Sequence, residues 1–209
     1  MKDNYTVRKI STKAAKVFVH KNHYSKGSHN SPSPCYGLFE YKELIGVLMI
    51  ANPCSESVKS QIFGKENKNT VRELHRLVLI DDTPKNTESW FISKCLKLLR
   101  LDREDLWAII SFADSTINHK GIIYQASNAL YLGKTNPARF YLDENGRLRH
   151  PRQNGKNIKV IEARNKGWVP VKRQAKYRYL FILGNKKQKR ERKKLLLLNP
   201  LLYEKVVNQ

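Results

Sequence analysis

Apolar and polar positions along the first half of the chain fall into short runs separated by turn-forming residues. Tyr5 to Ile10 reads as a strand, and Ser11 or Thr12 then caps a helix reaching His20, with Ala14, Ala15, Phe18 and Val19 on one stripe. The Ser, Gly, Asn and Pro residues of HKNHYSKGSHNSPSP, 20–34, mark a loop. CYGLFE and LIGVLMI on either side of Tyr41–Glu43 form a hairpin, and Val71 to Ile80 is another strand. The segment DDTPKNTE, 81–88, supplies cap residues Asn86 and Thr87 and the acid Glu88 for a helix from Ser89 to about Arg100, buried through Phe91, Cys95, Leu98 and Leu99. Trp107 to Ala113 is a buried strand. A helix over Asn118–Leu130 follows, expected to pack through Ile122, Ala126 and Ala129.

This order of elements predicts an α/β fold with a mixed sheet flanked by helices. Beyond it, RFYLDENGRLRH reads as a hairpin, KYRYLFIL as a strand and NKKQKRERKKLLLL as a basic helix stopped by Pro200. A catalytic domain over 1–184 with a basic C-terminal helix and tail over 185–209, docked by Leu195 to Leu198, is the expected organisation.

Composition adds a partner to this frame. Among 209 residues, 40 Lys and Arg oppose 18 Asp and Glu, a formal charge of +22 that attracts a polyanion such as double-stranded DNA. From Lys134 to Lys194 the balance is 20 basic to 4 acidic residues, so most of the excess lies in the C-terminal third. Cys35, Cys54 and Cys95 lack zinc-site or CxxC spacing. The N-terminus has no apolar signal core, and the longest apolar run, Leu44 to Ala51, is short of the roughly 20 residues of a membrane span. A reduced, soluble, cytoplasmic protein is expected.

The chain lacks GxGxxG, GxxxxGK, HExxH and GxSxG, which removes the usual support for dinucleotide binding, P-loop hydrolysis, zinc proteolysis and serine hydrolysis. His20, His23 and His29 raise a metal site, although a solvated helix end and loop is the more ordinary reading. Asp114 is more informative. It closes an apolar strand at the end where ligands gather in α/β sheets, and its competing role is that of a turn aspartate. Tyr124, placed on the helix face opposite Ile122 and Ala126, is not required by the core in this pattern, so its hydroxyl is free to relay a proton. Tyr131 is assigned to packing.

Together, HYSKG at 23–27, YGLFE at 36–40, RELHRLVLIDDTPKNTESWFISKCLKLL at 72–99, and SFAD followed by HKGIIYQASNALYLG resemble the Mom family of phage DNA-modification proteins. The likeness spans about residues 20–133, with an echo in KYRYLFIL. It implies a GNAT-like acyltransferase fold and conversion of adenine in DNA to its N6-carbamoylmethyl form, which protects phage DNA from restriction. By motif match, the family's aspartate falls on Asp114, its helix tyrosine on Tyr124 and its His-Tyr pair on His23 and Tyr24, with Tyr36 as a further candidate. Adenine's amino group is delocalised and stacked, so the enzyme must expose the base and remove a proton from N6. Asp114 suits the base, Tyr124 the donor or its leaving group, and His23 with Tyr24 the adenine or a metal.

On the donor side, the resemblance points to Val78, Leu79, Lys85, Asn86 and Thr87, the stretch where GNAT enzymes cradle the coenzyme A diphosphate on backbone N–H groups. Here that stretch has no glycine and is flanked by acids, which argues against acyl-CoA and leaves an aminoacyl donor or an iron-assisted rearrangement open. Candidate DNA contacts are Arg76 and Lys120, Arg139, Arg147 and Arg149 on the hairpin, and Lys187, Arg190 and Lys194 on the basic helix. Two other functions fit the same residues: a GNAT acyltransferase acting on protein or aminoacyl-tRNA, and a non-catalytic DNA-binding accessory protein.

Overall fold

The computed structural model describes residues 4–23, 31–53, 55–117, 119–153 and 156–203. A seven-stranded sheet takes the order β1-β2-β3-β4-β5-β12-β6. Its strands are β1 (Tyr5–Ile10), β2 (Cys35–Glu40), β3 (Glu43–Ala51), β4 (Val71–Leu79), β5 (Ala108–Asp114), β6 (Leu130–Lys134) and β12 (Lys176–Ile182). β1 to β4 are joined antiparallel, and β4 lies parallel to β5. The expected hairpin and mixed sheet are therefore present, and the chain has the α/β fold anticipated from its element order.

Helix α1 (Thr12–Asn22) packs Ala15 and Val19 against Cys35, Val47, Met49 and Val78. Helix α2 (Glu56–Phe63) packs Ile62 and Phe63 against Val71, Ala108, Ile110, Leu180 and Ile182. Side chains alternate across a strand, and an irregular register between Met49 and Ile50 keeps both helices on one face. Tyr36, Leu48, Ile109 and Ser111 consequently point to the opposite face, where α3 (Thr87–Asp102) buries Phe91, Ile92, Cys95 and Leu99. Helix α2 has no counterpart in the sequence reading, because its eight residues carry only Ile62 and Phe63 as a fully buried apolar pair.

The helix expected over Asn118–Leu130 is corrected to α4, Ile122–Ala126. Left-handed residues bound it, Gly121 with φ 72 at its start and Asn128 with φ 60 beyond its end, and Leu130 already begins β6. The buried face is corrected too. Ile122 is 55% exposed and Ala126 is exposed, whereas Tyr124 is 8% exposed and packs inward. Gly121 is required twice over: a Cβ there would lie 2.3 Å from the ring of Tyr179, in a backbone conformation that side chains resist.

Contacts divide the chain into two units. One comprises 1–112, 121–133 and 178–209, and the other 113–120 and 134–177. The basic helix α6 (Lys186–Lys194) belongs to the first unit. It ends before the leucines, of which Leu196 and Leu198 pack against the core beside α2 while Leu195 and Leu197 stay exposed. The second unit holds a three-stranded sheet ordered β11-β7-β8, from β7 (Ala138–Leu142), β8 (Leu148–Arg149) and β11 (Val169–Arg173). It also contains the short pair β9 (Arg152–Gln153) and β10 (Lys156–Asn157) and helix α5 (Val160–Asn165). No helix among the described residues is long and apolar enough to cross a membrane.

Candidate functional site

The parallel pairing of β4 and β5 runs through Val71–Ala108, Arg72–Ile109 and Glu73–Ile110 and then stops, although both strands continue. The two strands part beyond Glu73, and unpaired backbone in an opening of this kind is available to a ligand. At the point of divergence, His75 Nδ1 lies 3.8 Å from Glu73 Oε1, with both side chains largely buried. Ser111 Oγ, on β5, is buried and makes no hydrogen bond among the described residues. Neither Glu73, His75 nor Ser111 stood out in the sequence. The only available signal was a charged Arg-Glu-x-His-Arg run inside a strand with apolar neighbours.

Asp114 closes β5. Its Oδ1 accepts the Thr116 N–H at 3.0 Å, and its carbonyl accepts the His119 N–H at 3.2 Å, so a turn orients the half-buried carboxylate. The Ser115 hydroxyl donates to the Ala175 carbonyl and ties the turn to the segment entering β12. The turn role weighed for this aspartate is therefore present.

Tyr124 belongs to an aromatic cluster, with ring centroids 5.4 Å from Tyr179 and 6.1 Å from Phe181. Tyr131 stacks on Tyr179 from 5.5 Å, in agreement with its assignment to packing, and Gln125 Nε2 donates to the Tyr179 hydroxyl at 3.0 Å. Tyr36 is wholly buried, and its hydroxyl has no hydrogen-bond partner among the described residues. Burial pushes its pKa up, and Asp102 adds to the effect, so Tyr36 is a neutral phenol. His23 caps α1, its N–H donating to the Val19 carbonyl at 2.9 Å. Tyr24 and His29 lie outside the described residues, and no cluster of three metal-binding side chains occurs among the described ones.

The stretch matched to donor binding is used structurally. Val78 is buried against α1, and Thr87 is fully buried, with its N–H and hydroxyl both donating to the Pro84 carbonyl at 3.1 and 2.6 Å. Asn86 is exposed and left-handed, with φ 65. Leu79 ends β4, and Lys85 is the one cation among Asp81, Asp82 and Glu88. Pro84 has no N–H to offer. Three acids beside one cation, and the loss of the Pro84 and Thr87 N–H groups, make this stretch a poor match for a coenzyme A diphosphate.

The DNA-contact candidates separate into groups. Lys187, Arg190 and Lys194 are exposed on α6, and Arg139 and Arg147 are exposed on the hairpin of β7 and β8. Arg76 donates Nη1 to the His75 carbonyl at 2.8 Å, and Lys120 is half-buried. Arg149 is committed elsewhere: its Nε lies 2.8 Å and its Nη2 2.7 Å from Asp143 Oδ2. Asp143 Oδ1 accepts the N–H groups of Asn145 and Arg147 as well. Desolvation raises the Asp143 pKa, but the Arg147 N–H, the Arg149 guanidinium and the Asn145 N–H together lower it below the ordinary carboxylate value.

A model of the Mom protein family matches residues 4–205. The chain is 30% identical over 200 residues to the methylcarbamoylase mom of Escherichia phage Mu, which covers 93% of this chain and 82% of that protein. Among solved structures, yncA of Salmonella typhimurium, determined with acetyl-CoA, superposes with a TM-score of 0.52 at 9% identity, over 88% of this chain and 96% of that one. The ribosomal-protein-S5-alanine acetyltransferase of Vibrio fischeri gives 0.51 at 11% identity, over 88% and 95%. The fold is that of the GNAT acetyltransferases.

Proposed function

The chain belongs to the Mom protein family, and from that membership we propose that it is a DNA-modifying transferase that converts adenine to N6-carbamoylmethyladenine and so shields phage DNA from restriction. The family match across nearly the whole chain carries this reading. The strand-end position of Asp114 and the charge of +22 support it.

In this mechanism the target adenine leaves the stack and presents its amino group to Asp114. As the N6–C bond forms and the bond from that carbon to its leaving group breaks, the proton on N6 passes to the Asp114 carboxylate. The Asx turn with Thr116 holds the carboxylate in one orientation for this transfer. The Tyr124 hydroxyl protonates the leaving group, while its ring is fixed by Tyr179 and Phe181. Tyr124→Phe keeps those ring contacts, so melting temperature should hold while modification falls roughly 100-fold. Full activity in that variant returns Tyr124 to packing alone.

Exposed cations of α6 hold the duplex through its phosphates. The decisive experiment is mass spectrometry of nucleosides from the DNA of cells expressing the chain. A carbamoylmethylated deoxyadenosine is expected. Unmodified DNA together with an acylated protein or aminoacyl-tRNA would replace this reading.

A further inference from the structure

The first unit contains a cleft of about 410 Å³ that none of the roles above uses. Helix α3 forms one wall with Ser93, Lys97 and Arg100, which stand at i, i+4 and i+7 on one stripe. Lys189 of α6 faces into the cleft from another element, and Asn128 adds an amide. Phe181 gives the cleft an apolar lining.

No acidic residue among the described ones lines this space, and Lys97 and Lys189 form no ion pair with a described carboxylate. Arg100 is half-buried and steadied by a hydrogen bond from Nη1 to the Gly184 carbonyl at 3.4 Å. Three cations from two helices thus line one cleft, an arrangement that favours an anion between them. Helix stability explains part of the set, since Lys97 and Arg100 lie toward the C-terminal end of α3, where cations are favoured. It does not explain Lys189, which sits near the start of α6, a helix with no acid in its first turn.

We propose that this cleft is a phosphate-binding subsite for the DNA strand, in which Lys97, Arg100 and Lys189 hold a phosphodiester and Ser93 and Asn128 donate hydrogen bonds to it. The apolar lining at Phe181 accommodates the neighbouring sugar or base. This subsite rests on the DNA-modification reading and is separate from the outward cations Lys187, Arg190 and Lys194, because Lys189 lies on a different stripe of α6. A phosphate has two sources, a polynucleotide or a free nucleotide such as coenzyme A, and the subsite is assigned to the polynucleotide because its walls continue into the exposed basic surface of α6.

The test is the full chain with the double substitution Lys97→Gln and Lys189→Gln, two exposed positions whose change should leave the melting temperature in place. Binding of a short duplex, of coenzyme A and of inorganic phosphate is titrated over a range of salt for both proteins. Loss of this one phosphate contact should lower the slope of log affinity against log salt by about 0.9 and weaken DNA binding roughly tenfold. An unchanged slope and affinity, with the wild type binding DNA normally, overturns the subsite and leaves the DNA reading standing. Coenzyme A or phosphate binding that the double variant alone loses, with DNA binding intact, assigns the cleft to a free nucleotide and overturns it as well. A wild type that neither binds nor modifies DNA removes the functional reading itself, and the subsite with it.

Discussion

Strands β2 to β4 and the hairpin of β7 and β8 are held together in different ways. In the first region Leu38, Val47, Leu48 and Met49 are wholly excluded from solvent, and both faces of the sheet are covered by helices. The hairpin buries Tyr141 but has a charged anchor as well: Asp143, engaged by two backbone N–H groups and Arg149, while Leu148 is 46% exposed. Burial alone holds the first, whereas the hairpin adds the Asp143–Arg149 ion pair to the buried ring of Tyr141. The difference predicts which conditions each tolerates, since apolar burial is insensitive to pH and a carboxylate is not.

The largest effect expected from this contrast is at Leu48. Leu48→Ala removes a completely buried side chain between covered faces and should cost about 2–5 kcal/mol, read as a shift of the denaturant midpoint. Leu148→Ala, on the exposed hairpin, should stay within about 0.5 kcal/mol. Equal losses at the two positions would break the comparison.

Acid should separate the regions next. Because the folded pKa of Asp143 lies below its unfolded value, its stabilisation is present at neutral pH, above the unfolded value of about 4, and is lost as pH falls through the folded value. Amide protection of the hairpin should fade over that window before protection of β2 and β3 does. Asp143→Asn should show reduced hairpin protection already at neutral pH and little further change on acidification. Parallel loss of both regions in the wild type would show that the carboxylate does not hold the hairpin on its own.

The smallest effect concerns binding. Replacing Lys187, Arg190 and Lys194 with Ala leaves both regions folded, and it should flatten the salt dependence of DNA affinity by about 2.7, since each phosphate contact contributes about 0.9. An unchanged slope would move the duplex to Arg139 and Arg147.

The same contrast explains what the sequence disclosed. The hairpin of β2 and β3 was legible because burial on both faces demands an apolar run, and LIGVLMI is one. Asp114 was legible because a carboxylate ending such a run has few reasons to be there. Around Tyr124 the reading failed. The short helix has a left-handed residue before it and another after it, so helical periodicity could not identify its inward face, and Tyr124 was placed outward when it packs on Tyr179. The pairing of Arg149 with Asp143 was not legible, because Asp143 lies across a turn that only the fold closes. Strand β11 depends on register with β7, and its VPVKR sequence has little strand character of its own.

Proton transfer from adenine N6 to Asp114 is tested by nucleoside mass spectrometry of DNA treated with wild type and Asp114→Asn, alongside duplex-binding curves for both. Asparagine keeps the Oδ1 acceptor for the Thr116 N–H, so the turn and the DNA affinity should survive while carbamoylmethyladenine disappears. Modified adenine at the wild-type level in the Asp114→Asn DNA would contradict the account.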